Sequence, residues 1–223
     1  MNIERMNSLE SRASRHAALA DVARLRVVDA LAVSDRSPSE LQVSIGLPSN
    51  LMAHHVKVLR DAGIVASRRS EGDRRRTYLT LSDPTVVECT MPELSAERVM
   101  FVCSANSARS QLAAALWAQV SDIPVASAGT RPAESIADGA RAVASRQNLA
   151  LVSDTPCQFV DTVGVRDLVV AVCDNAYEEL GEAVAVHWSV PDPVRVGTPS
   201  AFDDAFAEIS RRVAALAPHL LAS

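Results

Sequence analysis

Short helical patterns of apolar residues, separated by turn signals, occupy the first quarter of the chain. Residues 18–31 carry apolar side chains at helical spacing. Ser37, which is followed directly by a proline, is a candidate helix cap and predicts a second helix that ends at Gly46. A third helix is predicted over residues 49–62, and Gly63 ends it.

Two predicted strands follow the third helix. They cover residues 64–69 and 76–81, and they are joined by Ser70-Glu71-Gly72-Asp73-Arg74. A helix, a short turn, a second helix and a hairpin together make the plan of a winged helix-turn-helix. We therefore predict a mainly α domain with a β-hairpin wing over residues 1–83.

The second half of the chain alternates between predicted strands and predicted helices. Before it lies a predicted linker over residues 84–97, which contains two prolines and shows no clear period. The predicted strands cover residues 99–102, 124–127, 168–172 and 184–188, and the predicted helices cover residues 112–120, 133–147 and 202–221. Alternation of this kind predicts an α/β domain with a parallel sheet over residues 98–223.

Composition favours a folded protein of the cytoplasm. Hydrophobic residues make up 48% of the 223, which is enough to form packed cores. No apolar run is long enough to span a bilayer, and the polar first 15 residues do not have the pattern of a secretory signal. The cysteines (Cys89, Cys103, Cys157 and Cys173) are scattered, which argues against a metal site and against a disulfide framework.

Positive charge is concentrated in the first part of the chain. Residues 1–90 hold 13 basic and 11 acidic side chains, whereas residues 91–223 hold 9 and 16, which together give the net charge of −5. Seven basic residues lie between Lys57 and Tyr78, against three acidic ones. This basic segment suggests contact with a polyanion, although a merely solvated basic surface would look the same.

The segment after the first strand of the second half carries the strongest chemical signal. Cys103 is followed by five residues and then by Arg109 and Ser110, directly between a predicted strand and a predicted helix. Backbone N–H groups at such a position lie over the positive end of the helix dipole, where they bind a tetrahedral anion and favour a thiolate. We expect Cys103 to be the nucleophile and Arg109 to bind two anion oxygens. The expected oxyanion-binding residues are Ser104, Ala105, Asn106, Ser107, Ala108, Arg109 and Ser110.

A second candidate catalytic group lies just past the last predicted strand. Asp192 precedes a proline there, and a carboxyl group near a thiolate can protonate a leaving oxygen. An Asp-Pro pair also forms turns without any catalytic role. The loop around Cys103 makes us favour the role of general acid.

The first domain resembles the ArsR-type winged-helix repressors over roughly residues 18–82. The resemblance is carried by residues 47–65, above all by His54-His55-Val56-Lys57-Val58-Leu59-Arg60-Asp61-Ala62-Gly63-Ile64-Val65. It implies a homodimer that binds double-stranded DNA with the third helix in the major groove and the wing on the backbone. Carried over, the residues that face bases are Ser49, Asn50, Ala53 and His54, and those that face phosphates are Lys57, Arg68, Arg69, Arg74, Arg75 and Arg76. A winged helix that only dimerises remains the alternative.

One departure from that family bears on what the first domain senses. Its metal-sensing members carry paired cysteines on the helix before the recognition helix. Here the helix reads Glu40-Leu41-Gln42-Val43-Ser44-Ile45 and contains no cysteine. The usual arsenite site is therefore missing, and Cys89 in the predicted linker is expected to be an ordinary side chain.

The second domain resembles the low-molecular-weight protein tyrosine phosphatase superfamily, which includes arsenate reductases. The match lies in the Cys-x-x-Asn-x-x-Arg-Ser loop at Cys103, in Ser127-Ala128-Gly129-Thr130, and in Asp192-Pro193, in this order. It implies a four-stranded parallel sheet with the anion loop beyond the end of a strand. Ala105 stands where the family usually has glycine.

Three features bear on the choice between reductase and phosphatase. Tyrosine phosphatases usually have an aromatic residue after Asp-Pro, but here Val194 follows. The segment at Cys173 resembles the one that holds the first resolving cysteine of thioredoxin-coupled arsenate reductases. Their further cysteine, seven residues on, is Leu180 here, so the relay is incomplete. Either Cys173 forms a disulfide with Cys103 that a reductant opens directly, or a small thiol such as mycothiol resolves the arseno-cysteine. Cys173 is a buried core residue in the second case, and Cys157 is expected to have no redox role.

The sequence thus leads to one preferred hypothesis and two alternatives. The preferred one is an arsenate reductase-like domain fused to a DNA-binding regulator, with no bound cofactor and with thioredoxin, or mycothiol and mycoredoxin, as the thiol reductant. The first alternative is a tyrosine phosphatase with the same DNA-binding domain. The second is a regulator whose phosphatase-like domain senses oxyanions or redox state with little turnover.

Overall fold

The computed structural model describes residues 3–82 and 94–222. By their contacts the residues form two compact units, one of Met1–Arg69 with Arg74–Met91 and one of Ser70–Asp73 with Pro92–Ser223. The four residues Ser70–Asp73 therefore belong to the second unit, although in sequence they lie within the first. Most of the predicted linker, including Cys89, lies outside the described residues.

The first unit is built from four helices and a hairpin. Its elements are α1 (Ile3–Leu19), α2 (Val22–Val33), α3 (Pro38–Ile45), α4 (Ser49–Asp61), β1 (Val65–Arg69) and β2 (Thr77–Leu81). The Ser37 side chain accepts from the Glu40 N–H, while the Glu40 carboxylate accepts from the Ser37 N–H, which is a reciprocal cap for the start of α3. Gly46 ends α3 in the left-handed conformation, with a φ of +74°.

The core of the first unit lies between its helices and the hairpin. Val27 and Leu31 of α2, Leu41 of α3 and Leu59 of α4 are buried there. β1 and β2 pair antiparallel, and Arg36 adds a bridge to Leu79. The predicted winged helix-turn-helix is thus confirmed, since two helices joined by a short turn are followed by an antiparallel hairpin.

The second unit is an α/β structure. Its elements are β3 (Leu94–Ala96), β4 (Arg98–Cys103), α5 (Arg109–Val120), β5 (Val125–Gly129), α6 (Asp138–Arg146), α7 (Phe159–Thr162), β6 (Asp167–Ala171), α8 (Asp174–Leu180), β7 (Val186–His187), α9 (Pro193–Val196), α10 (Pro199–Leu216) and β8 (Leu220–Ala222). A four-stranded sheet has the order β5-β4-β6-β7, and every pair in it is parallel. The implied four-stranded parallel sheet is therefore confirmed, and β4, one of its two inner strands, ends at Cys103.

Aromatic side chains fill the core around β4. Phe101 of β4 lies with its ring 6.1 Å from that of Trp117 and 5.8 Å from that of Trp188. Trp117 donates its indole N–H to the carbonyl of Ile123, so its polar atom is satisfied inside the core. This packing fixes the strand whose end carries the nucleophile.

Three predicted segments differ from the structure. Part of the predicted linker is strand β3, which pairs in parallel with β8 to form a second, two-stranded sheet. The predicted helix over residues 133–147 begins only at Asp138, because the preceding backbone N–H groups donate to carbonyls of the loop after β4. The predicted last helix ends at Leu216, two residues before Pro218, whose ring cannot donate the next helical hydrogen bond. Among the described residues, no helix is long and apolar enough to cross a membrane.

Candidate active site

Cys103 is the last residue of β4, and α5 begins six residues later at Arg109. The N-terminus of α5 has no side-chain cap, so its first backbone N–H groups remain available for another acceptor. Together with the helix dipole, such N–H groups form a site that favours an anion. The loop between β4 and α5, which we call the anion loop, holds the predicted oxyanion-binding residues.

The sulfur of Cys103 is buried and has two polar partners in the loop. The backbone N–H of Asn106 donates to Sγ over 3.2 Å, and the Ser110 hydroxyl lies 3.1 Å from it. The geometry therefore brings together the predicted nucleophile with two of its predicted neighbours.

Asn106 organises the loop through its side chain. Its amide nitrogen donates to the hydroxyls of Ser110 (2.8 Å) and Ser127 (3.0 Å). Its amide oxygen accepts from Gln111 (3.1 Å) and from the backbone N–H of Cys157 (2.8 Å). The φ of Asn106 is +48°, a left-handed conformation that asparagine tolerates better than most residues.

The segment after β5 fixes the loop by backbone hydrogen bonds. Thr130 and Arg131 donate their N–H groups to the carbonyls of Cys103 and Ser104. A Cβ on Gly129 would lie 2.6 Å from the Ser104 carbonyl oxygen and 3.0 Å from the Asn106 nitrogen. Only glycine allows so close an approach, which gives a physical reason for the Ser-Ala-Gly-Thr segment.

Arg109 is buried, and its guanidinium is held at the loop. Nη1 donates to the carbonyl of Val190 over 2.8 Å, and Nη2 lies 3.3 Å from Oδ2 of Asp192. Burial by itself lowers the pKa of Arg109, but the nearby Cys173 and Cys103 sulfurs and the Asp192 carboxylate raise it above its ordinary value. Arg109 is therefore a permanent positive charge beside both thiols.

The carboxylate of Asp192 has two partners. Oδ1 accepts from the N–H of Val194, as in the turn-forming role of an Asp-Pro pair, and this caps the short helix α9. Oδ2 is the atom that faces Arg109. The turn-forming contact of Asp192 is thus present, and the second carboxylate oxygen lies beside Arg109.

Cys173 lies against the same loop. Its side chain is fully buried at the start of α8, where Sγ is 3.7 Å from the Ser104 hydroxyl and accepts from the Ala176 N–H. Burial raises the pKa of the Cys173 thiol to about 11, since Arg109 offsets only part of the desolvation. At neutral pH this second thiol is therefore protonated.

A buried pair that sequence reasoning did not single out lies next to Cys173. Nε2 of His187 is 3.0 Å from Oδ1 of Asp174, and Tyr177 stacks on the imidazole. Burial raises the pKa of Asp174, but hydrogen bonds from His187, the Glu71 N–H and Ser189 outweigh it and lower that pKa below its ordinary value. Asp174 is thus a buried carboxylate with a full set of donors.

Glu71 is the other side chain that sequence reasoning missed. Its Oε2 lies 3.4 Å from Nη1 of Arg109, and both of its carboxylate oxygens accept from the N–H of Asp192. Arg195 also pairs with this carboxylate. Glu71 is 38 residues away from Arg109 in sequence, within a turn, so no local pattern could have revealed the contact.

In the first unit, the predicted DNA-contacting residues share one exposed side of α4. The residues Ser49, Asn50, Ala53, His54 and Lys57 are exposed. Met52, Val56 and Leu59 of the same helix are buried in the core. On the hairpin and its connection, Arg69, Arg74, Arg75 and Arg76 are exposed, and Arg68 is half-buried.

Comparison with known proteins places the second unit in a family. Residues 98–223 match the family described as low molecular weight phosphotyrosine protein phosphatase. No curated protein matches the chain. The tyrosine phosphatase Wzb of Escherichia coli K30, solved with sulphate, is 19% identical, covers 55% of this chain and 97% of its own, and superposes with a TM-score of 0.50, which shows a shared fold.

Two further solved structures are similar over separate parts of the chain. An arsenate reductase of Archaeoglobus fulgidus is 26% identical and covers 54% of this chain and 98% of its own, with a TM-score of 0.45. A homodimeric winged helix-turn-helix DNA-binding domain of Mycobacterium bovis, from a possible ArsR-family regulator, is 23% identical and covers 39% of this chain and 77% of its own, with a TM-score of 0.35.

Proposed function

This chain belongs to the low molecular weight phosphotyrosine protein phosphatase family, and on that premise we propose that its second unit is a thiol-dependent arsenate reductase. Cys103 is the nucleophile, and Arg109 with the loop N–H groups binds the oxyanion. The observation that carries the choice of arsenate is the second thiol at the anion loop. Cys173 lies 3.7 Å from the Ser104 hydroxyl, and its sulfur is close enough to Arg109 to raise the pKa of that guanidinium.

The proposed reaction uses both thiols. The Cys103 thiolate attacks arsenic, an S–As bond forms, and a hydroxide leaves as water after Asp192 protonates it. The Cys173 sulfur then attacks the Cys103 sulfur, and the electron pair of the breaking S–As bond stays on arsenic. The Cys173 proton passes to an oxygen of the departing arsenite. Two thiols are oxidised to a disulfide while arsenic gains two electrons.

A thiol reductant from outside the protein closes the cycle. The Cys103–Cys173 disulfide is opened by thioredoxin, or by mycothiol with mycoredoxin, which regenerates both thiols. Cys173 is protonated at neutral pH, so its proton must pass to the arsenite oxygen as its sulfur attacks Cys103. The chain itself needs no bound cofactor for this reaction.

The first unit is proposed to bind double-stranded DNA as a homodimer. The support is the exposed side of α4, together with the arginines of the hairpin. Arginines in such positions pair with phosphates, whereas the exposed polar residues at the start of α4 can reach base edges. The whole protein would then combine a regulator with an oxyanion-reducing enzyme.

Phosphomonoester hydrolysis is the second candidate function. It is favoured by the position of the Asp192 carboxylate beside Arg109, where a leaving alkoxide could be protonated. Hydrolysis needs Cys103, Arg109 and Asp192 but no second thiol. The two functions therefore differ in their dependence on Cys173.

The test is a parallel assay of arsenate reduction and aryl phosphate hydrolysis. We expect Cys103→Ser to abolish arsenate turnover. Cys173→Ser should abolish turnover of arsenate but leave any aryl phosphate hydrolysis intact. Cys157→Ser is the matched control, because it keeps the backbone N–H that donates to Asn106 and changes only a half-buried thiol that contacts Ser153 and Thr155. Full arsenate turnover by Cys173→Ser, or hydrolysis without any arsenate reduction, would exclude the proposed reaction.

A further inference from the structure

The carboxylate of Glu71 pairs with Arg109, the side chain that is expected to bind the oxyanion. Its oxygens accept from Nη1 of Arg109 (3.4 Å) and from the N–H of Asp192 (3.1 Å and 3.3 Å). Arg195 adds a second guanidinium. Only 15% of the Glu71 side chain is exposed, so this carboxylate is mostly buried within the second unit.

Short hydrogen bonds fix the whole segment Ser70–Asp73 in this position. The Glu71 N–H donates to Oδ2 of the buried Asp174 over 2.9 Å. The Ser70 hydroxyl and the Asp73 N–H donate to the two carboxylate oxygens of Glu178, each over 2.7 Å. The segment is thus held at three points by α8, which begins beside Cys173.

Gly72 makes the fit of this segment close. A Cβ at Gly72 would lie 2.3 Å from Oε2 of Glu178 and 3.0 Å from Oδ1 of Asn175. Real Cβ atoms do not approach so closely, so a larger residue would displace Glu178 and its bonds to Ser70 and Asp73. The segment Ser70–Asp73 therefore packs closely against α8.

We propose that Glu71 is a built-in competitor for the oxyanion site, and that an oxyanion binds there only when the segment Ser70–Asp73 withdraws. The inference rests on the proposed function only in taking the ligand to be a tetrahedral oxyanion. A guanidinium already paired with a carboxylate attracts a second anion less, and the Glu71 charge repels it. Competition of this kind lowers the apparent affinity for the oxyanion.

Competition works in both directions. An anion that binds Arg109 weakens the hold on Ser70–Asp73 by the same factor as the segment weakens anion binding. Occupancy of the anion site therefore determines whether the segment Ser70–Asp73 of the second unit is held or released.

The direct test is the affinity of the full chain for inorganic phosphate, measured by calorimetry. Glu71→Ala should bind phosphate roughly tenfold more tightly than the unaltered protein, within the usual range of coupling between competing ligands. Glu71→Gln keeps the size but loses the charge, and should lie between the two. Glu97→Gln is the matched control, because it removes an equal charge that pairs with Arg166, away from the loop.

A second variant moves the segment without changing its carboxylate. Gly72→Ala should also bind phosphate more tightly, since its Cβ disrupts the hold of Glu178 on the segment. In hydrogen exchange, phosphate should speed the exchange of the Glu71 and Asp73 amides in the unaltered protein. Unchanged or weaker phosphate binding in Glu71→Ala would overturn the proposal. Phosphate is not reduced, so these outcomes are independent of arsenate turnover.

Discussion

At the scale of single residues, Asn106 connects four partners around the nucleophile. Asn106→Ala removes these hydrogen bonds and places alanine at a positive φ. We expect the second unit to lose about 2–4 kcal/mol of unfolding free energy, because buried donors and acceptors remain unsatisfied. Denaturant titration followed by tryptophan fluorescence measures this, since the chain's two tryptophans, Trp117 and Trp188, both lie in the second unit.

Asn106→Gly separates hydrogen bonding from backbone strain. Glycine accepts the positive φ, so this variant should be about 1 kcal/mol more stable than Asn106→Ala. It should still bind the oxyanion more weakly than the unaltered protein does, because the loop has lost the hydrogen bonds of the Asn106 side chain. A loss below about 0.5 kcal/mol in both variants would show that Asn106 does not organise the loop.

Cys173 should make the stability of the second unit depend on pH in the alkaline range. Its pKa is raised from 9.0 to about 11 by burial, so the unfolded chain releases this proton first as pH rises. The stability from the protonated thiol is therefore full below about pH 9 and lost progressively between about pH 9 and about pH 11. The loss should reach about 2–3 kcal/mol.

The control for this pH dependence is Cys173→Ala, which removes the titrating group. The difference in unfolding free energy between the two proteins, measured across the same pH range by tryptophan fluorescence, isolates Cys173 from the other groups that titrate there. Parallel pH profiles for both proteins would mean that the thiol is not held protonated by burial.

Single residues also show where sequence reasoning reaches its limit. The positions of Cys103 and Arg109 could be predicted because strand, loop and helix follow one another in sequence, and local order fixes their geometry. Glu71 could not be predicted, because its contact with Arg109 depends on tertiary packing across 38 residues. The Asp174–His187 pair was missed for the same reason.

At the scale of elements, the end of β5 limits the shape of the anion loop. Gly129→Ala would place a Cβ 2.6 Å from the Ser104 carbonyl oxygen, and backbone atoms cannot move aside as a side chain can. We expect a loss of about 2 kcal/mol or more in unfolding free energy, together with weaker phosphate binding. Denaturant titration measures the unfolding free energy, and calorimetry measures the phosphate affinity.

Gly164→Ala is the matched control for that substitution. Its Cβ would lie 3.3 Å from Nη2 of Arg98 and 3.3 Å from Oδ1 of Asp167. Both are side-chain ends that need to shift by only a few tenths of an ångström, so the change in unfolding free energy should stay within about 1 kcal/mol. If Gly129→Ala were as mild as Gly164→Ala, the close approach of β5 to the loop would not matter for the site.

The elements themselves were predictable to different degrees. Caps and glycine ends located α3 correctly, because a capping box and a left-handed glycine are local signals. Strand β3 was assigned to the linker, since three residues that pair with the end of the chain carry no pattern of their own. The start of α6 was placed too early because hydrogen bonds to the anion loop compete with the helix.

At the scale of the whole molecule, the uneven charge along the chain gives each unit its own expected partner. The acidic second unit holds the buried guanidinium of Arg109, the expected partner of a small oxyanion. The first unit is basic around α4 and the hairpin, which suits an extended polyanion. The whole chain carries a net charge of −5, so its overall charge would repel DNA. DNA binding that weakens as salt is added would therefore indicate a local basic surface.

Replacing Arg74, Arg75 and Arg76 together by alanine should weaken DNA binding to all sequences. Each arginine that neutralises a phosphate releases counterions, so the slope of log K against log salt should flatten by roughly one to three units. Asn50→Ala should instead reduce the preference for the protein's own promoter over random DNA, because base contacts carry that preference.

The control for the arginine triple is alanine at the exposed Arg146, Arg166 and Arg211 of the second unit, which changes the net charge by the same amount. Fluorescence anisotropy titrations at several salt concentrations give both slopes. If the control triple flattened the slope as much as the hairpin triple, DNA binding would depend on overall charge and not on the hairpin.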